Sequence, residues 1–192
     1  MHQKKWVSRT KKTLRYKERN HEKRISFLQS LRKTVKEKGS ANIVYMDESG
    51  FEQETYRAHA WSKRGKKSHG ERFGRRFKRT NLIAAKRQSA ILAPILYESN
   101  TTAEWVNQWF EHHLFKELEP ESTIILDNAK FHRKTDLCSL AQNAGHQILF
   151  LPPYSPDLNP IEQDFAIIKK IRSFSDNSAI DYIMKSYGLF LK

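Results

Sequence analysis

The sequence has one cysteine, Cys138, in 192 residues. An internal disulfide is therefore excluded, and no neighbouring Cys or His stands at zinc-ligand spacing, so Cys138 reads as a packing residue. Long apolar runs are also missing. No stretch approaches the roughly 20 residues that span a bilayer, and the N-terminus has no apolar segment of the secretory kind. The expectation is a cytosolic protein with no membrane partner. Acidic residues are scarce beside basic ones, 21 against 35, which leaves a formal charge of +14 and a pI near 9.9. Such a balance favours a polyanionic partner over an acidic metabolite, nucleic acid first. Hydrophobic residues make up only 38% of the chain, enough for one compact domain with an arm.

The charge is unevenly placed. Residues 1–40 hold fourteen Lys or Arg against Glu18, Glu22 and Glu37, a net of +11. From Lys17 to Lys38 the pattern is helical, with Ile25, Leu28, Leu31 and Val35 on the inner face, and Gly39-Ser40 ends it. Residues 1–40 are thus read as a basic arm and linker helix, 41–175 as the main domain, and 176–192 as a trailing helix carrying Ile180, Ile183, Met184 and Tyr187. Within the main domain, Ile43 to Met46 is a short apolar run of the buried-strand type, stopping at Asp47-Glu48-Ser49-Gly50. Asn81–Ala85 and Ala90–Tyr97 form a hairpin around Lys86-Arg87-Gln88-Ser89. Thr101 and Thr102 cap a helix through Leu118 with Trp105, Trp109 or Phe110, and Leu114 inward, and Pro120 closes it. A strand over Thr123–Leu126, a helix over Thr135–Ala144, a strand over Gln147–Leu151 and a helix from about Pro160 follow. This order of α and β elements predicts an α/β fold: a mixed sheet, three antiparallel strands and then parallel ones, flanked by helices.

Two strands end at aspartates, Asp47 and Asp127. Open sheets with helical crossovers place ligands outside strand ends, so both side chains can emerge on one rim. The segment Leu151-Pro152-Pro153-Tyr154-Ser155-Pro156-Asp157-Leu158-Asn159-Pro160-Ile161-Glu162 is a stiff turn that delivers Glu162 to the first turn of a helix on that rim. Three crowded carboxylates are unfavourable unless a cation neutralises them, and hard divalent ions with oxygen ligands do so. Two Mg²⁺ ions, with Mn²⁺ as a substitute, suit chemistry on a phosphodiester. Asn128, His132 and Asn159 lie close enough in sequence to support the carboxylates. Glu48 points to the opposite face if its strand persists and is left out. Asp157 reads as a turn former, Asp136 as an early helix residue, and His112-His113 as surface.

Between Lys63 and Arg87 stand eleven Lys or Arg against one acidic residue, Glu71, interleaved with Trp61, Phe73 and Phe77. Phosphate contacts come mainly from Lys and Arg, so Lys63, Arg64, Lys66, Lys67, Arg72, Arg75, Arg76, Lys78 and Arg79 are candidate DNA contacts, with Lys11, Lys12 and Arg15 of the arm.

Three stretches carry a family resemblance: Val44-Tyr45-Met46-Asp47-Glu48-Ser49-Gly50-Phe51, Leu126-Asp127-Asn128-Ala129-Lys130-Phe131-His132, and Pro153 to Glu162. With 34 residues between Asp127 and Glu162, the chain resembles the catalytic half of bacterial insertion-sequence transposases of the mariner superfamily, insertion sequence 630 group. The resemblance implies an RNase H-like fold with Asp47, Asp127 and Glu162 as metal ligands. It also implies DDE-type cleavage and strand transfer in DNA transposition, recombination and integration, with transposon ends and a TA target as double-stranded DNA partners. Pairing of two ends implies a homodimer on DNA, in the cytoplasm of a bacterium. Members usually begin with paired helix-turn-helix segments, which this chain does not include. The expectation is a downstream frame joined to an upstream helix-turn-helix segment from a preceding reading frame, or a truncated copy. Another RNase H-like nuclease and a non-catalytic DNA- or partner-binding relic stand as alternatives. Phe165 occupies a position where members often carry tryptophan, which keeps an aromatic ring there.

Overall fold

The basic segment folds as α1 (His21–Lys38), begun by the Asn20 side chain, which accepts from Lys23 N at 2.9 Å, and ended at Gly39, whose φ of +83° favours glycine. The structure, a computed structural model, describes residues 17–52, 62, 65–67, 69, 79–128 and 133–174. The arm residues Lys11, Lys12 and Arg15, the candidate contacts Lys63, Arg64, Arg72, Arg75, Arg76 and Lys78, the supporting candidate His132 and the trailing helical pattern lie outside the described residues.

The chain runs from α1 through β1 (Ile43–Glu52), β2 (Arg79–Arg87), β3 (Ala90–Tyr97), α2 (Ala103–His112), β4 (Thr123–Leu126), α3 (Lys134–Asn143) and β5 (Gln147–Phe150) to α4 (Ile161–Phe174). The five strands form one sheet in the order β3-β2-β1-β4-β5. β1, β2 and β3 pair antiparallel, while β4 and β5 join parallel to β1. This is the mixed RNase H-like sheet that the sequence predicts.

Strand alternation splits the core in two. On one face Val44, Met46, Ile83, Ile124 and Leu126 pack with Val106, Trp109 and Phe110 of α2 and Leu137 of α3. On the other, Ile43 and Ile125 pack with Phe27 of α1, and Phe51, Leu82 and Ala84 pack with Ile161, Phe165 and Ile168 of α4. Phe165 therefore fills the aromatic position beneath α4, at 2% exposure. Edge strand β3 carries Pro94, where a missing N–H costs no ladder bond. Beside it Ala93 takes a φ of +46° as the register slips, and its polar groups are met from α2 and the turn after it. Trp109 Nε1 donates to Ala93 O at 2.9 Å and Ala93 N donates to Glu117 Oε2 at 3.1 Å.

Four expectations are corrected. β1 does not stop at Met46 but runs to Glu52, because β2 offers it partners as far as Arg79. α2 ends at His112 rather than Leu118, since His113 leaves helical geometry (φ −125°, ψ −63°) and Leu114–Glu117 tighten into a 3₁₀ turn that still buries Leu114. On α1 the most deeply buried residue is Phe27, and Ile25 is exposed. Cys138 is exposed on α3 instead of packed. No helix among the described residues is long and apolar enough to cross a membrane.

Candidate active site

The parallel register of β1 and β4 pairs Ile43 with Thr123, Val44 with Ile124 and Tyr45 with Ile125. Carried on by two residues, it sets Asp127 beside Asp47, on the face that α1 and α4 cover. Beyond Tyr45, β1 is paired on the β2 side, so its β4 side opens there. Asp47 stands opposite Ala84 of β2, a methyl group that leaves room above the sheet for a second side chain.

That side chain comes from α4. Leu151 N donates to Leu126 O at 2.8 Å, so the chain leaves the sheet next to Asp127. It then turns through Pro152 and Pro153, Tyr154 at a φ of +55°, and a 3₁₀ turn over Pro156–Leu158. Asn159 ends the turn. Its side chain is 2% exposed, and its Nδ2 donates to Met46 O and to Asp47 Oδ2, both at 3.3 Å. Its carbonyl accepts from Glu162 N at 3.2 Å, so one residue ties the start of α4 to the aspartate on β1. One turn further on, Asp164 pairs with Lys86 of β2, with side-chain exposures of 13% and 18%. This second brace holds the first turn of α4 down over the sheet.

Glu162 thereby reaches Asp47. Burial, then the charge of Glu162, the charge of Asp127 and a hydrogen bond shared with Glu162 push Asp47 up to about 8. A hydrogen bond from Glu48 N to Asp47 Oδ1, 2.8 Å, works in the other direction and does not offset them. Ionisation of the first aspartate is thus opposed by its burial and by the carboxylates beside it.

Glu48 occupies the opposite row from Asp47, as strand alternation requires. Yet burial, then the charges of Asp47 and Asp127, push it up to about 8 as well. Its side chain lies on the other face, as expected from alternation, but the charges of the two aspartates still act on it.

The other candidates are dispersed. Asn128 follows Asp127 and is exposed. Lys66 and Lys67 are exposed, with Lys66 O accepting from Ser62 Oγ at 2.7 Å. Arg79 is exposed at the start of β2, and its guanidinium lies so close over Gly50 that a Cβ there would stand within 2.0 Å of it.

A cluster of oxygen donors that shares protons because its charges are uncompensated is the donor set that a hard divalent cation suits. Among the described residues no three His, Cys, Asp or Glu side chains already enclose a common point at ligand distance. The buried Oδ1 of Asn159 meets no hydrogen-bond partner, while its Nδ2 is on Asp47.

The fold has close counterparts among solved structures. A pre-cleavage Mos1 transpososome superposes with a TM-score of 0.75 at 19% identity, over 96% of this chain and 59% of that one. The mariner Mos1 paired end complex with Mg gives 0.75 at 16%, over 96% and 59%. The catalytic domain of Mos1 mariner transposase gives 0.65 at 17%, over 92% and 83%. The chain thus spans a little under three-fifths of the transposase chains in the two complexes. No curated protein matches it by sequence. Residues 42–181 match the family described as DDE superfamily endonuclease, which includes all three carboxylates, and the chain belongs to that family.

Proposed function

We propose that this chain is the catalytic part of a DNA transposase, with Asp47, Asp127 and Glu162 as the residues that hold divalent metal. The observation that carries the reading is the placement of two aspartates on neighbouring strands, in register where the β1–β4 pairing ends, with Glu162 tied beside the first through Asn159. The mariner Mos1 paired end complex with Mg supports Mg²⁺, and Mn²⁺ substitutes in a site built from oxygen donors.

Metal, once bound, supplies the positive charge that activates an attacking oxygen and stabilises the leaving one. The chain supplies geometry. Asn159 holds the Asp47 carboxylate against the start of α4, the Lys86–Asp164 pair fixes the pitch of that helix, and the β1–β4 register sets the spacing of the two aspartates. Water attacks a phosphodiester at an element end and frees a 3′-hydroxyl. That hydroxyl then attacks target DNA, exchanging one phosphodiester for another with no covalent enzyme intermediate.

The finer placement belongs to the same proposal. It assigns the chain to bacterial elements of the insertion sequence 630 group, acting in the bacterial cytoplasm as a homodimer at TA targets. An upstream helix-turn-helix segment reads the ends, residues 1–40 link it to the catalytic domain, and 176–192 trail behind. The test is strand transfer. With Mg²⁺, a pre-nicked transposon end bearing a free 3′-hydroxyl should join to a target plasmid, with the chain alone or with an end-reading segment supplied. Cleavage of junctions or RNA–DNA hybrids without joining would assign the site to another RNase H-like nuclease. Metal-dependent chemistry absent from every substrate would leave a DNA-binding relic.

A separate prediction concerns the basic stretch. Replacing Lys66, Lys67, Arg75, Arg76 and Lys78 together should lower affinity for duplex DNA and flatten its dependence on salt, by about 0.9 in log–log slope for each phosphate that is no longer neutralised. Titrations between low and moderate salt check it, and an unchanged slope would mean that the stretch neutralises no phosphates.

A further inference from the structure

The turn that carries Glu162 is held at both ends. Leu151 N anchors it to β4, and Asn159 Nδ2 anchors it to β1. Its middle, Pro156–Leu158, is a 3₁₀ turn with Pro156 and Asp157 exposed. A segment pinned at two points can still rotate about the line joining them, and rotation here would strain the Asn159 tie from which α4 begins.

Two arginines oppose that rotation. Arg24, one turn into α1, makes a fork with Asp157: Nη1 donates to Oδ1 at 3.2 Å and Nη2 to Oδ2 at 2.9 Å. Arg19, immediately before the helix cap, adds Nη2 to Oδ2 at 2.5 Å. A bidentate guanidinium–carboxylate pair fixes direction as well as distance, which a lysine at the same place would not do. Asp157 is 52% exposed at its side chain, whereas Arg24 is 14% exposed, so the cation is the embedded member and the acid reaches in to it. Beside the ion pairs, Leu158 packs against the buried cluster to which α1 contributes Phe27. Burial alone would raise Asp157, but the Arg24 hydrogen bond and charge, with Arg19, hold it below the ordinary carboxylate range.

We infer that Asp157 is a positioning residue for Glu162, acting through Arg19 and Arg24 to lock the turn between β5 and α4 against α1. The inference rests on the metal-site reading above. An isolated exposed ion pair contributes little to stability. The value of this pair lies in orientation, since it determines where the turn points and hence where the Glu162 carboxylate meets Asp47 and Asp127. α1 also becomes mechanically continuous with the carboxylates, so displacement of the basic helix is felt at the site.

The test is Mn²⁺ binding to the full chain without DNA, followed by electron paramagnetic resonance, beside thermal melting. Asp157→Asn should weaken Mn²⁺ about tenfold while the melting temperature moves by no more than a few degrees. Asp157→Glu should recover part of the affinity, and so should the charge exchange Arg24→Asp with Asp157→Arg relative to either single change. Undiminished Mn²⁺ affinity in Asp157→Asn, with affinity abolished in Asp47→Asn, would overturn the inference and leave the metal site standing. Undiminished affinity in Asp47→Asn would overturn the site assignment and this inference with it.

Discussion

Replacing Asp47 with Asn, Asp127 with Asn or Glu162 with Gln should each reduce Mg²⁺- or Mn²⁺-dependent DNA cleavage by on the order of 10³-fold, with the fold retained. Loss of one preorganised electrostatic stabiliser alone costs about 10²–10³ in rate, and loss of a metal ligand removes the stabiliser and the ion together. What separates a ligand from a structural acid is the response of stability. Asp47 is pushed up to about 8 by burial and by the charges of Glu162 and Asp127, so its ionised form is a liability in the metal-free protein. Asp47→Asn should therefore raise the metal-free melting temperature at pH 8 while it abolishes cleavage and the melting shift produced by Mg²⁺. A residue retained for packing would lower stability and activity together. Circular dichroism, thermal melting with and without Mg²⁺, and plasmid nicking measure all three quantities. Full activity in any of the three variants would remove that residue from the site.

The carboxylates were legible in the sequence because two of them follow apolar runs and the third follows a proline-rich turn at a fixed separation. The sheet and its hairpin were legible for a related reason: short buried strands and an amphipathic helix have different periods, and turn residues separate them. What could not be read was how far a partner strand extends an element. Asp47-Glu48-Ser49-Gly50 has the composition of a turn, yet it pairs with Ala84, Ile83, Leu82 and Asn81, so tertiary pairing overrides local preference. Asp47 is consequently a mid-strand residue that is terminal only with respect to β4. The same limit explains α1. Leu28, Leu31 and Val35 were readable as its inner face, but the phase of its first turn is set by Arg24 on Asp157 and by Phe27 against Ile43, Ile125 and Leu151. Both contacts join residues distant in the chain. Asn159 was readable as a supporting residue from its place in the turn, whereas its double role as a donor to Asp47 and a backbone acceptor for Glu162 needs the geometry. The long-range charge on Glu48 was not legible, because alternation placed it on the other face.

Metal-free stability should fall as pH rises from 6.5 to about 8.5, and saturating Mg²⁺ should abolish most of that fall. Asp47 and Glu48 are raised from ordinary values of 3.8 and 4.5 to about 8 each, first by burial, then by the charges of Glu162 and Asp127 on Asp47 and of Asp47 and Asp127 on Glu48. A raised acid binds its proton more tightly in the native state than in the unfolded one. Its favourable contribution is complete below the unfolded value and is lost as pH climbs through the folded one. His146 works oppositely, since burial and then Lys38 lower it from 6.5, so its contribution grows with pH but is complete above 6.5. Tyr45 and Tyr97 are raised from 10.0, each first by burial, and titrate above the window. Between pH 6.5 and 8.5 the two acids therefore govern the slope. Asp47→Asn should remove part of it, Glu48→Gln another part, and the double variant nearly all. Because a metal ligand must be ionised, Mg²⁺ should bind more tightly across the same interval and release protons as it binds, most of them near neutrality. Melting curves on a pH series, with calorimetric titrations in two buffers of different ionisation enthalpy, read both effects. A flat metal-free profile across this window would mean that the carboxylates do not crowd one another as the β1–β4 register and the Asn159 tie require.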